Sequence, residues 1–84
     1  MGHKRPIPAR LGEKLKAIRQ HLELTEEQLI ERLDYPLVVL NRGDIEKYEK
    51  NLRKPPSIIL LRYARLAGVY IDDLIDDAVD LEFK

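Results

Sequence analysis

Residues 24–33, LTEEQLIERL, carry the strongest local signal in the chain, the start of a short amphipathic helix. Thr25 and Gln28 have the spacing of a capping box, in which the hydroxyl and the amide each bind a backbone N–H at the helix start. Three apolar residues then fall on one face: Leu29, Ile30 and Leu33. The segment predicts a helix over about residues 26–34 with one buried side.

Upstream of this segment, apolar residues at spacings of four, three and four predict a first helix that begins at Leu11 and ends near His21. These residues are Leu11, Leu15, Ile18 and Leu22. Residues 1–10 contain Pro6 and Pro8 and predict an extended, flexible basic arm.

Downstream, Pro36 disfavours helix at Tyr35, and we expect the apolar residues 37–40 to form a linker pressed on the core. Asn41 is a good N-cap for a third helix at about residues 41–51. The apolar set of this helix is Leu40, Ile45, Tyr48 and Leu52.

The last third of the chain predicts two more helices. Pro56 suits a first helical turn, and residues 57–67 are apolar on almost every side, which is typical of a buried helix. Gly68 supplies a left-handed helix end. A fifth short helix has Ile71, Leu74 and Ile75 as its apolar set. The prediction is an all-α fold of five helices, with one domain at residues 11–77 and an acidic and apolar tail at 78–84.

Length and composition exclude several classes of function. The chain has 84 residues, no Cys and two His, so it has room for one domain and few groups that catalyse reactions or bind metals. We therefore expect no enzyme, no catalytic residue, no cofactor and no metal. The longest apolar runs have four residues, far fewer than a membrane span needs, and we expect a soluble cytoplasmic protein.

Charges of opposite sign are segregated along the chain, although the formal net charge is zero. Residues 1–24 have six Lys or Arg against two Glu, and residues 40–69 have seven against three acids. Residues 25–39 have one Arg against four acids, and residues 70–84 have one Lys against six. Because salt screens exposed charges beyond about 8 Å, local patches decide which partners bind.

From Leu11 to Ile75 the sequence resembles the lambda-repressor-like (XRE/Cro) helix-turn-helix family of DNA-binding domains. The resemblance rests on the order and spacing of five pieces: LTEEQL at 24–29, IEKYE at 45–49, RKP at 53–55, LLRYA at 60–64 and LAGVYIDDLI at 66–75. It implies the five-helix fold of that family, with the third helix in the DNA major groove.

Three features depart from the family pattern. The eleven residues between Leu33 and Ile45 make a longer connection than the family usually has. Glu26 stands where Gln is common, and its carboxylate repels phosphate. Gly43 lowers helix propensity by about 1 kcal/mol relative to alanine and is compatible with a later helix start.

The resemblance implies roles for individual residues. Four candidates could contact base edges: Asn41, Arg42, Asp44 and Lys47. Five could contact phosphates: Lys50, Arg53, Lys54 and, in the arm, Lys4 and Arg5. Asp44 also has an alternative role as a partner of the helix dipole. Arg19 and Glu49 match a pair that forms a structural salt bridge in family members.

These roles predict a sequence-specific regulator of transcription, expected to be a repressor, that is associated with the nucleoid. A domain of this size needs a homodimer on a palindromic operator. The candidate dimer surfaces are residues 37–40 and 71–83, because exposed apolar patches often mark partners. Two alternatives stay open: an antitoxin whose acidic tail binds a toxin, and a protein-interaction module that has lost DNA binding.

Overall fold

The computed structural model describes residues 7–37 and 39–83, which fold into five helices. These are α1 (Leu11–His21), α2 (Glu26–Leu33), α3 (Arg42–Glu49), α4 (Ser57–Ala67) and α5 (Ile71–Ile75). No strand occurs in the described ranges, so the predicted all-α class is confirmed. Within the same ranges, every helix is too short or too polar to cross a bilayer.

The core lies around α4, which packs against α1, α2 and α5. Its inner face is buried through Ile59, Leu60, Tyr63 and Ala64, as its apolar sequence predicts. The rest of the buried apolar core comes from the other four helices: Leu11, Leu15, Ile18, Leu29, Leu33, Ile45, Tyr48 and Leu74. Ile58 at the start of α4 stays 44% exposed, so this helix is not buried on every side.

Capping groups set the bounds of three helices. In α2, the Thr25 hydroxyl accepts from the Gln28 N–H at 3.1 Å, and the Gln28 amide oxygen accepts from the Thr25 N–H at 2.9 Å. Asn41 begins α3, so the helix starts before Gly43 and not after it. Gly68 ends α4 with φ of 70°, in the left-handed region that glycine adopts readily.

Two predictions about the middle of the chain are wrong, and a third is slightly displaced. The linker is not pressed on the core, because Leu37 is 80% exposed and Val39 is 92% exposed. Tyr35, which precedes the linker, and Leu40, its last residue, pack on the core instead, whereas the side chains of Leu37 and Val39 lie in solvent. Leu52 is also exposed, because α3 ends at Glu49. Pro56 precedes α4 as its N-cap and does not lie in its first turn.

The C-terminal segment, residues 76–83, lies along α1. Leu81 and Phe83 pack against the core, and the Phe83 ring stacks on His21 with ring centroids 4.0 Å apart. At the opposite end of α1, Ile7 is also packed against the core. Residues near both ends of the described chain are therefore packed against the folded core.

Candidate nucleic-acid interface

Helix α3 has one buried and one exposed face. Ile45 and Tyr48 enter the core, and burial raises the pKa of the Tyr48 hydroxyl. The exposed face has two cations, one acid and one glycine, which are Arg42, Lys47, Glu46 and Gly43, and a third exposed cation, Lys50, follows directly as the C-cap. This surface is predominantly cationic, which suits contact with a polyanion.

An ion pair joins the carboxyl end of α3 to α1. Arg19 Nε lies 2.7 Å from Glu49 Oε2, and Arg19 Nη2 lies 3.0 Å from Glu49 Oε1. The two side chains are only 19% and 7% exposed, and hydrogen bonding to Glu49 raises the pKa of Arg19. The pair that the family resemblance implies is therefore present, and its two parallel bonds fix both distance and angle.

A second set of contacts joins the two helices at the amino end of α1. The Asn51 side chain accepts a 2.7 Å hydrogen bond from the Gly12 N–H and donates a 2.8 Å bond to the Ala9 carbonyl. A Cβ at Gly12 would lie well inside van der Waals distance of the Glu49 carbonyl oxygen, so the two backbones touch. The position of α3 relative to α1 is thus set at both ends of α1.

The sequence did not point to Gly12 or Asn51 as residues that position α3. For Asn51 the sequence does contain a hint. Asparagine adopts the left-handed conformation more readily than most residues, and Asn51 has this conformation, with φ of 58°, directly after α3. Gly12 has no such signal, because the need for a missing Cβ arises only when α3 is brought against it.

The four predicted base-contacting residues divide into two pairs. Arg42 and Lys47 are exposed on α3. Asn41 and Asp44 are engaged with each other, since each side chain accepts a 3.0 Å bond from the other residue's backbone N–H. Asp44 also accepts a 3.0 Å bond from Arg53. The structure thus gives Asn41 and Asp44 a capping role and leaves Arg42 and Lys47 on the surface.

The predicted phosphate-contacting residues lie at and after the carboxyl end of α3. Lys50 Nζ lies 2.6 Å from Glu46 Oε1, and this contact lowers the pKa of Glu46. Arg53 is half exposed and Lys54 is exposed. Lys4 and Arg5 lie outside the described residues.

A groove of about 570 Å³ separates the amino ends of α2 and α3. Three glutamates line it, together with aliphatic, polar and cationic groups: Glu26, Glu27, Glu46, Ile30, Leu40, Asn41, Arg42 and Gly43. Arg42 Nη1 lies 3.6 Å from Glu27 Oε1, with both side chains about 70% exposed. The cationic face of α3 therefore has an acidic border on its α2 side.

The described residues contain no cluster of three or more His, Cys, Asp or Glu side chains that could hold a metal ion. No protein-family model, curated protein or solved structure matches the chain. The functional proposal therefore rests on the exposed face of α3 and its surroundings.

Proposed function

We propose that the five helices form a lambda-repressor-like helix-turn-helix domain that binds double-stranded DNA in a sequence-specific manner. In this proposal the protein regulates transcription, as a repressor, and α3 is the recognition helix. The observation that carries the proposal is the exposure of Arg42 and Lys47 on a helix whose carboxyl end is bonded to α1.

The geometry of duplex DNA explains why this arrangement suits sequence recognition. The major groove, about 12 Å wide, admits one helix, and side chains near the amino end of that helix meet the base edges. Arg42 is the first residue of α3, and its guanidinium matches the O6 and N7 acceptors of guanine. Its contact with Glu27 is long and exposed, so exchanging that partner for a base requires little free energy.

Lys50, Arg53 and Lys54 supply the second half of the proposed interface. They follow the recognition helix, where contacts to phosphates position a protein on DNA without reading its sequence. Both side chains of the Lys50–Glu46 pair are exposed, so water and salt screen the pair and it adds little to stability. Phosphate can therefore replace Glu46 as the partner of Lys50.

The proposed active form is a homodimer on a palindromic operator. A single recognition helix touches few base pairs, and two-fold pairing places two such helices one helical turn apart. Leu37 and Val39 are exposed apolar residues in the linker and remain candidates for this contact.

The proposal is tested by selecting ligands from random duplex DNA and then measuring the affinity of three variants. Arg42→Ala should lose about 1 to 3 kcal/mol on the selected site and relax one base position. Lys50→Ala should weaken selected and random DNA alike and lower the salt slope by about 0.9. Arg65→Ala removes an exposed cation from the last turn of α4 and serves as the control.

Two results would contradict the proposal. The first is a folded protein that enriches no duplex sequence. The second is an equal loss of affinity for selected and random DNA with both Arg42→Ala and Lys50→Ala.

The groove between α2 and α3 favours a second candidate, a protein-interaction module that keeps the fold without binding DNA. Glu26, Glu27 and Glu46 would repel phosphate at the border of α3, and their aliphatic neighbours Ile30 and Leu40 suit a protein partner. Failure of the folded protein to retain any fragment of a genomic library would support this candidate.

A further inference from the structure

Three arginines from α2 and α4 line one pocket of about 320 Å³, which we call the arginine pocket. Arg32 lies in the last turn of α2, Arg65 lies in the last turn of α4, and Arg62 precedes Arg65 by about one turn. Leu33 and Leu66 complete the lining, so among the described residues no acidic side chain borders the pocket. The arginine pocket is therefore cationic, with an apolar wall.

These three arginines differ from the other arginines that the structure describes. The other four each bind a carboxylate, and they are Arg10, Arg19, Arg42 and Arg53. Within the described ranges, the arginines of the pocket form no ion pair. Arg62 Nη1 donates a 3.0 Å hydrogen bond to the Leu33 carbonyl instead, which holds this half-buried side chain at the pocket.

The acidic C-terminal segment is engaged elsewhere. The two Asp77 carboxylate oxygens accept 2.9 Å hydrogen bonds from the Ala9 and Arg10 N–H groups at the start of α1. These backbone hydrogen bonds lower the pKa of the Asp77 carboxyl. Asp80 Oδ1 lies 2.6 Å from Arg10 Nη2. Both carboxylates thus bind at α1, and neither lines the arginine pocket.

Helix stability explains only part of this grouping of cations. Arg32 and Arg65 each lie in the last turn of a helix, where the helix dipole favours a positive charge. Arg62 lies in the middle of α4, beyond the range of that effect, and it is close enough to Arg65 for the two charges to repel. The third arginine therefore lowers stability unless an anion binds between the three.

We propose that the arginine pocket binds the phosphate group of a small phosphorylated molecule. A phosphate monoester has close to two negative charges at neutral pH and three strong acceptor oxygens, and guanidinium binds phosphate through two parallel hydrogen bonds. A carboxylate has one charge and two oxygens, so it matches three guanidinium groups less well. The volume is at the lower end of the range for small-molecule sites, and Leu33 and Leu66 would contact carbon atoms of the ligand.

The arginine pocket lies apart from the proposed DNA-binding surface. On α2, Ile30 lines the groove beside α3, and Arg32 lies about 200° further round the helix axis. The two residues flank opposite sides of the buried face that Leu29 and Leu33 form. Phosphate binding at the pocket therefore does not depend on the proposed DNA binding.

NMR titrations of the isotope-labelled full chain test the site, at neutral pH and constant ionic strength. Phenyl phosphate should shift signals of the pocket arginines in a saturable way. It should bind more tightly than inorganic phosphate, which has no apolar part, and more tightly than benzoate, which has the same ring with one carboxylate.

Three variants show whether the arginines bind the probe. Arg32→Gln and Arg65→Gln should each weaken the binding of phenyl phosphate about tenfold, as expected for the loss of one charged hydrogen-bond donor. Both side chains are exposed, so the fold should not depend on them. Lys16→Gln removes an exposed cation from α1 and should leave the affinity unchanged.

Four results would overturn the inference. They are the absence of saturable shifts at the pocket, equal affinities for phenyl phosphate and benzoate, an equal loss with Lys16→Gln, and a loss of duplex DNA affinity in Arg32→Gln and Arg65→Gln. The last result would assign these arginines to DNA phosphates. Absence of duplex binding by the unsubstituted chain would contradict the proposed function and would leave the phosphate site unaffected.

Discussion

Helix α3 meets its two neighbours in very different ways. Its contact with α1 is close and buried, with the Gly12 backbone against Glu49 and a bidentate ion pair between Arg19 and Glu49. Its contact with α2 leaves a groove of about 570 Å³, and the exposed Arg42–Glu27 pair lies across it near the surface. The orientation of α3 is therefore set by α1, and its α2 side stays open to solvent and ligands.

This difference explains how the molecule can carry a long connection between α2 and α3. Residues 34–41 need not guide α3 into place, because contacts from a helix earlier in the chain do so. Substitutions on the α1 side should therefore lower stability much more than matched substitutions on the α2 side.

The largest difference is expected between two substitutions of Glu by Gln. Glu49→Gln leaves the largely buried Arg19 without a charged partner, and we expect the free energy of unfolding to fall by about 3 kcal/mol. Glu27→Gln breaks an exposed pair and should change it by less than about 0.5 kcal/mol. Guanidinium denaturation followed by circular dichroism measures both. Similar losses of unfolding free energy in the two variants would show that α1 and α2 contribute equally to holding α3.

The next largest difference is expected between two substitutions of Gly by Ala. Gly12→Ala forces α1 away from the Glu49 carbonyl and should lower the free energy of unfolding by about 2 kcal/mol. Gly43→Ala places its methyl group 3.1 Å from Asn41 Oδ1, the oxygen that caps α3, but also adds helix propensity. The two effects oppose each other, so we expect a change of at most about 1 kcal/mol. Thermal unfolding at matched concentrations checks both variants. A Gly12→Ala protein as stable as the unsubstituted one would show that α1 and α3 can move apart at Gly12 at little cost in free energy.

The smallest effect is expected in the connection itself. Leu37→Ser and Val39→Ser replace side chains that are exposed in the monomer, so each should change its stability by less than about 0.5 kcal/mol. If these residues join two copies, the same substitutions will reduce dimer formation in sedimentation experiments. A monomer destabilised by more than about 1 kcal/mol would show that the linker packs on the core after all.

Local patterns were sufficient to predict most of the fold. The spacing of apolar residues placed α1, the capping box at Thr25 and Gln28 placed α2, and Gly68 placed the end of α4. These signals work because helix formation depends on neighbours three or four residues apart. The exposed Leu37 and Val39 were not predicted, because hydrophobicity alone does not say whether a connection can reach the core.

The candidate site was less accessible to prediction than the fold. The N-cap role of Asn41 was predicted and is confirmed, and Asp44, predicted either to contact bases or to lie at the helix start as a dipole partner, completes the same capping box. The roles of Gly12, Asn51 and Asp77 depend on contacts between residues far apart in the chain. No short pattern encodes such contacts, because each requires the folded arrangement of helices before it exists.

The bond between Asp77 and the Ala9 N–H joins residues 68 positions apart and gives the described chain the topology of a nearly closed ring. The linker residues Leu37 and Val39 are 80% and 92% exposed, so opening the chain beside them would remove little packing. A circularly permuted form of the described chain, opened in the linker and with a peptide joining residue 83 to residue 7, is expected to retain the same core. The order in which the helices are synthesised is thus separable from the architecture they form.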